Sequence, residues 1–349
     1  MKEKFELSDK LEFENHLSME EWCRILQFND KEFMEELFER ARKYQHKYYG
    51  NGIFIRGLIE ISNICKNNCY YCGIRRDNKN VSRYRLSNEQ ILECCDKGYK
   101  LGYRTFVMHG GEDGYFSDEV MTDIISTIKS RYSDCAVTLS LGERSYESYR
   151  RMYEAGADRY LLRHETADNE HYRMLHPKEL SLEERKQCLF NLKEIGYQVG
   201  TGFMVGSPGQ TITNIAKDLL FLEELKPQMV GIGPFIPHHD TVFAQNNAGS
   251  VELTIYLIAL IRLLLPKALI PATTALGTLD PKGREKGIMA GANVIMPNLS
   301  PVSVREKYSL YDNKLCTGDE DAAYKKNLEE RMKKIGYEVL TGRGDASEF

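Results

Sequence analysis

Apolar residues change period near residue 50. Before it, Phe33, Leu37, Phe38 and Ala41 recur at helical spacing, and Ser18-Met-Glu-Glu21 has the form of a capping box, so residues 18–49 are expected to be helical. Beyond it, short β-branched or aromatic runs alternate with amphipathic stretches. Strands are expected at 53–59, 104–108, 136–140, 159–163, 198–205, 228–233, 269–273 and 292–296. Helices are expected between most of them, at 87–102, 118–132, 145–155, 181–195, 211–225 and 251–265. Strand–helix alternation implies a parallel sheet, and eight such units over about 250 residues match an α/β fold of the complete (β/α)8 TIM-barrel type. A doubly wound open sheet is the alternative. The expected organisation is one barrel domain, with N-terminal helices over 1–50, the barrel over 51–311, and a C-terminal helix and tail over 312–349.

The polar, glycine-rich clusters follow the strands directly: CKNNC, HGGED, LGE, HET, GSPGQT, PFIPHHDT, TALGT and PNLSP. In a barrel all of them fall at the C-terminal mouth, where active sites sit. The closing TGRGDASEF reads as an exposed tail, its RGD triplet a chance occurrence.

Composition narrows the class. A 42% hydrophobic, 28% charged chain of 349 residues can bury an ordinary core. Its net charge of −4 gives no reason to expect nucleic acid. The N-terminus lacks the apolar stretch of a signal peptide. The most apolar run, Leu253–Leu265, is shorter than the roughly 20 residues of a membrane span and contains Arg262, so a buried helix, no membrane contact and a cytoplasmic location are expected. Nine cysteines in such a chain are unlike a disulfide framework. Cys94 and Cys95 sit mid-helix and read as packing.

Three cysteines carry chemistry. Cys65-Lys-Asn-Asn-Cys69-Tyr-Tyr-Cys72 is C-x3-C-x2-C on the loop after the first strand. Three thiolates this close can face one soft metal centre, and with no fourth nearby one coordination position stays open. Structural zinc, which prefers four ligands, is the competing reading. The adjacent His238 and His239 read as an exposed loop. Gly206–Thr211 is either an anion-binding turn or a plain helix start capped by Thr211.

With an aromatic before its last cysteine, the motif resembles the signature of the radical S-adenosylmethionine (SAM) superfamily. That resemblance implies one [4Fe–4S] cluster on Cys65, Cys69 and Cys72, with an open iron chelated by SAM, and cleavage of SAM to methionine and a 5′-deoxyadenosyl radical. It places Tyr71, Gly110, Gly111, Glu112, Ser140, Glu165 and Arg185 around SAM; Glu165 and Arg185 could instead form a surface ion pair.

Longer stretches narrow the likeness. LIEISNICKNNCYYCGIRRDNKNVSRYRLS, YLLRHET, VGIGPFIPHHDT, IPATTALGTL and GANVIMPN resemble the HydE family of [FeFe]-hydrogenase maturases over about residues 45–311. The resemblance implies a small cysteine-derived organometallic substrate delivered by HydG, a downstream scaffold HydF, and a low-potential electron donor of ferredoxin or flavodoxin type. A small carboxylated substrate needs hydroxyls and an Arg fork, for which Thr138, Arg163, Thr273 and Thr274 are candidates, with Met229 and Tyr308 lining the same space. Some HydE proteins carry a second cluster on C-x7-C-x2-C. Here only Cys316 fits, Tyr324 and Asn327 standing at the other two positions, so that cluster is not expected. The alternative activity is that of a methylornithine synthase-like radical SAM mutase, which would need a barrel carboxylate for its substrate's ammonium; biotin synthase is a weaker alternative. A metal-binding scaffold protein is the non-enzymatic alternative.

Overall fold

A computed structural model describes residues 2–28, 30–315 and 322–347. Three helices open the chain, α1 (Lys2–Glu14), α2 (Met19–Ile25) and α3 (Lys31–Tyr49). Residues 18–49 are thus two helices, because Asp30 begins a new one by accepting from the Phe33 N–H. The Ser18–Glu21 capping box forms as its sequence implies, an arrangement worth about 1 kcal/mol. Helix α1 lies within the helical 1–50 segment expected, ahead of the 18–49 pattern. The three form the expected N-terminal layer. Phe33 makes edge-on contacts with Phe5, Phe28 and Tyr256, and the Tyr256 hydroxyl donates to Ile25 O.

The strands are β1 (Gly52–Ile55), β2 (Gly57–Ser62), β3 (Thr105–Gly110), β4 (Ala136–Ser140), β5 (Arg159–Leu161), β6 (Gln198–Thr201), β7 (Met204–Val205), β8 (Met229–Val230), β9 (Gly233–Pro234), β10 (Val294–Ile295) and β11 (Glu338–Leu340). Six make one parallel sheet in the order β2-β3-β4-β5-β6-β8. Parallel bridges continue beyond it at Met229–Leu269, Pro271–Val294 and Leu58–Asn298. The expected strand at 269–273 is present only as such bridges, consistent with Pro271 lacking an N–H for the ladder. The expected 53–59 strand divides at Arg56: β2 joins the sheet, while β1 pairs with β10 and β11. The 198–205 run breaks at Gly202, which has φ +156° and where a Cβ would lie 2.0 Å from Gly231 O.

Connecting helices α4 (Asn88–Lys100), α5 (Asp118–Arg131), α6 (Tyr146–Glu154), α7 (Asn169–Leu175), α8 (Leu182–Ile195), α9 (Ile212–Leu225) and α10 (Val251–Leu264) follow the expected alternation, α7 being an addition. In α10 the apolar run is buried, and Arg262 with it, its guanidinium donating to Gly291 O, Pro266 O, Ala268 O and Asn293 Oδ1. No helix among the described residues is long and apolar enough to cross a membrane. Both Cys94 and Cys95 are buried in packing. Later come α11 (Thr274–Leu279), α12 (Gly283–Met289), α13 (Val302–Arg305) and α14 (Ala322–Lys334).

Period-two alternation positions the site. Leu58 and Glu60 of β2, Val107 and His109 of β3, and Thr138 and Ser140 of β4 line an internal chamber, while Ile59, Ile61, Phe106, Met108, Val137 and Leu139 belong to the apolar core. Register stacks Glu60, His109 and Ser140 in one row.

The tail is not exposed as expected. Strand β11 pairs with β1, and the residues after it lie at the N-terminal ends of the sheet strands. Fully buried Arg159 donates to Arg343 O at 2.8 Å and to Asp345 Oδ1 at 2.6 Å. Arg343 in turn donates to Asp158 and Cys135 O. A buried guanidinium needs such acceptors. Cys316 lies outside the described residues; Tyr324 and Asn327 are on α14, where the Tyr324 hydroxyl accepts from Arg284.

Candidate active site

A chamber of about 370 Å³ is lined at one end by Cys65, Cys69 and Cys72. The cysteine loop is fixed by its backbone: Lys66 N–H donates to Glu112 O, Tyr70 N–H to Leu175 O and Gly73 N–H to Leu310 O. The Glu112 N–H donates to the Cys65 sulfur at 3.4 Å. At Gly111 a Cβ would lie 2.2 Å from Ile64 O and 2.8 Å from the Cys65 Cβ, so only glycine allows the β3 loop this near the cysteines.

Burial pushes all three thiols up, Cys72 to about 12; Cys72 and Cys65 raise Cys69 further, and Cys65 raises Cys72. A cationic metal centre reverses that preference by binding thiolate. Among the described residues, no other cysteine lines the chamber. This donor set of three thiols, one already receiving an N–H, suits an iron–sulfur cluster better than a closed four-ligand zinc site.

Next to the cysteines stand Tyr71, Gly110, Gly111, Glu112, Ser140, Glu165 and Arg185, all lining the same chamber. The Tyr71 hydroxyl lies 3.3 Å from His176 Nε2. Glu112 is held by Lys66 at 3.1 Å and accepts from the Glu143 N–H at 3.1 Å. Glu165 adopts φ +65°, in the left-handed region that a side chain rarely enters, and its carboxylate lies 3.1 Å from Arg163 without hydrogen-bond geometry. Arg185 does not pair with Glu165 on the surface: it donates to Glu143 at 2.6 Å and to Arg163 O at 2.8 Å. Burial, then Arg185, pushes His176 down to about 3, so it is neutral at pH 7.

Deeper in the chamber are Thr138, Arg163, Met229, Thr273, Thr274 and Tyr308. Among the described residues, the hydroxyls of Thr138 and Thr273 and Nε of Arg163 are buried without a hydrogen-bond partner, while Arg163 Nη2 faces the Glu165 carboxylate at 3.1 Å. Orphaned polar atoms of this kind are unfavourable unless a ligand satisfies them. Thr274 is partly engaged, accepting from Arg284 at 3.3 Å. Tyr308 packs edge-on against His109.

Sequence reasoning passed over several polar residues. Arg56, Glu60, His109 and Lys314 line the chamber, and Glu143 braces Arg185. Arg56 and Glu60 carried a signal, as charges inside the otherwise apolar IFIRGLIEI run. Burial, then Lys314 and Arg163, pushes His109 down to about 4, and its Nδ1 lies 2.9 Å from the Ser140 hydroxyl.

Two motifs fall outside the chamber's polar set. Thr211 caps α9 with Asn214 in a capping box, a plain helix start. His239 is exposed as expected, but His238 is buried against the cysteine loop at Gly73. With Asp312 the pair holds three ligand atoms within 4.8 Å. The imidazoles, however, stack at 4.4 Å with planes 21° apart, so their in-plane lone pairs do not converge on one ion.

Residues 59–222 match the radical SAM superfamily. The chain is 49% identical over 318 residues to the [FeFe] hydrogenase maturase subunit HydE of Thermotoga maritima, covering 91% of this chain and 90% of that one. It is 30% identical to the 3-methylornithine synthase of Methanosarcina acetivorans, over 92% and 90% of the two chains. A crystal structure of methylornithine synthase superposes with a TM-score of 0.84 at 28% identity, covering 96% of this chain and 97% of the other.

Proposed function

Because this chain belongs to the radical SAM superfamily and, within it, to the HydE maturases of [FeFe] hydrogenase, we propose that the chamber is where a SAM-derived radical meets a small substrate. The protein is a radical SAM hydrogenase maturase, and the superfamily's [4Fe–4S] cluster and SAM are its cofactors. Cys65, Cys69 and Cys72 would hold three irons of the cluster and leave the fourth for SAM. When bound, the pair supplies reductive cleavage of SAM to methionine and a 5′-deoxyadenosyl radical.

The chain's own residues position and shield. Gly110 and Gly111 let the β3 loop approach the cluster end, offering backbone groups to the methionyl part of SAM. Glu165 suits ribose hydroxyls, and Arg185, braced by Glu143, suits a carboxylate. Tyr71 and Ser140 complete that wall. Thr138, Thr273 and Arg163 would take the carboxylate of the substrate, with Thr274, Met229 and Tyr308 around it. The bridges at Leu269, Pro271 and Asn298 support a complete eight-stranded barrel around this space, the whole chain forming one domain. A closed wall excludes water, which protects a reactive radical.

The substrate class is a small cysteine-derived organometallic species supplied by HydG, with HydF receiving the product and a ferredoxin or flavodoxin as electron source in the cytoplasm. One observation carries the reading. The cysteine triad, the unpartnered Thr138 and Thr273 hydroxyls and the Arg163 guanidinium line one chamber. Anaerobically reconstituted protein should hold about four irons per chain at this site and convert SAM to 5′-deoxyadenosine under reduction, and Cys69→Ala should abolish both. Deoxyadenosine production that survives in the variant, or stoichiometric zinc in place of iron, overturns it. Addition of the HydG product should then move the adenosyl label onto substrate.

A further inference from the structure

Glu60 is a carboxylate in the chamber wall, 1% exposed. A buried carboxylate needs a cation or several donors. It has both, and neither is free for a ligand. Asn298 donates to Oε2 at 2.9 Å, and the Lys314 ammonium is bonded to Oε1. Lys314 also donates to Tyr308 O at 3.0 Å and sits 4.8 Å from the centre of the Tyr308 ring. A carboxylate, a carbonyl and an aromatic face around one ammonium are what a protein offers a primary amine.

The amine comes from a distant part of the chain. Residues 308–315 cross the chamber's edge: Gly73 N–H bonds Leu310 O, Asp312 N–H bonds Pro237 O, and Leu315 N–H bonds the Thr278 hydroxyl. Tyr308, Leu310, Tyr311 and Lys314 of this segment line the chamber. The lysine is thus anchored on both sides of its side chain. His109, on which burial acts together with Lys314 and Arg163, stays uncharged near pH 7, so it offers the ammonium no negative charge.

We propose that Lys314 is a specificity-determining residue. Its ammonium permanently fills an amine site built from Glu60, Asn298 and Tyr308, so the chamber refuses substrates carrying a free side-chain ammonium. Substrates without one bind through the Arg163 guanidinium and the unpartnered threonine hydroxyls. The inference rests on the chamber being the substrate site.

Removing the tethered amine should expose the site. Reconstituted Lys314→Ala protein should bind methylammonium at least tenfold more tightly than wild type by calorimetric titration. Its thermal midpoint should rise with methylammonium chloride but not with equal sodium chloride. The Lys314→Ala/Glu60→Gln double variant should not respond. Should Lys314→Ala fail to fold, Lys314→Leu keeps the stem packed on Tyr308 and carries the same comparison. A single variant that responds no more than wild type, or a double variant that responds equally, overturns the proposal. Binding is read without SAM turnover, so its failure leaves the SAM-cleaving function standing. Wild-type protein that forms no deoxyadenosine would sink that function by a separate readout.

Discussion

The backbone N–H of Glu112 reaches the Cys65 sulfur at 3.4 Å, joining the loop after β3 to the loop after β2 at the cysteine end of the chamber. The contact exists because Gly111 has no Cβ to strike Ile64 O. Gly111→Ala must move one loop by more than a side-chain adjustment. We expect reconstituted iron to fall below half of wild type and deoxyadenosine formation to drop at least about tenfold, about 1.4 kcal/mol in the barrier. Iron analysis and product chromatography test this; full iron with undiminished turnover would contradict it.

Arg185 is held by Glu143 and Arg163 O through two separate nitrogens. A lysine ammonium cannot reproduce that planar fork. Arg185→Lys should weaken SAM binding about tenfold while iron content stays unchanged. Glu143→Gln should show a smaller loss in the same direction. Equilibrium binding of SAM to the reconstituted variants separates this from a folding defect.

The hydroxyls of Thr138 and Thr273 have no hydrogen-bond partner among the described residues. Replacing either by valine removes an unsatisfied group at nearly constant shape, so stability should be unchanged or rise by up to about 1 kcal/mol. Substrate-dependent turnover should nevertheless fall, with SAM affinity retained. A stability loss above about 2 kcal/mol would mean that the hydroxyls are already satisfied in the resting protein.

Asp345 is the carboxylate partner of fully buried Arg159. Although burial opposes it, Arg343 and Arg159 hold the Asp345 carboxyl below its ordinary range. Because Asp345 is partly open to water, Asp345→Ala should cost about 2 kcal/mol, less than loss of a partner in a fully buried pair. Urea denaturation measures the difference. An unchanged midpoint would show that the tail is not docked.

His109 and His176 are both buried as neutral imidazoles, with folded values of about 4 and about 3. These lie below the ordinary histidine value near 6.5. Protonation therefore favours the unfolded chain: the contribution is fully present above about pH 6.5 and is lost as pH falls through about 4. The thermal midpoint should decline across that window, and His109→Gln should make the decline shallower. Equal slopes for variant and wild type would remove His109 from the account.

Local patterns fixed much of this protein in advance. Strand–helix alternation located most of the elements because period-two and helical spacing are written in neighbouring residues. The cysteine triad was legible for the same reason, being eight residues long. Thr138, Ser140, Arg163 and Glu165 were legible because each lies at or near the end of a strand, and parallel strands deliver such ends to one mouth. What sequence spacing could not express is pairing across the chain. Lys314 meets Glu60 across 254 positions, and Asp345 meets Arg159 across 186. A polar tail has no apolar period to betray that it docks, and a lysine has no local mark that it will be buried. Burying Glu60 and Arg159 creates the demand for those partners, and only the folded sheet, by removing water from both, decides which residues meet it.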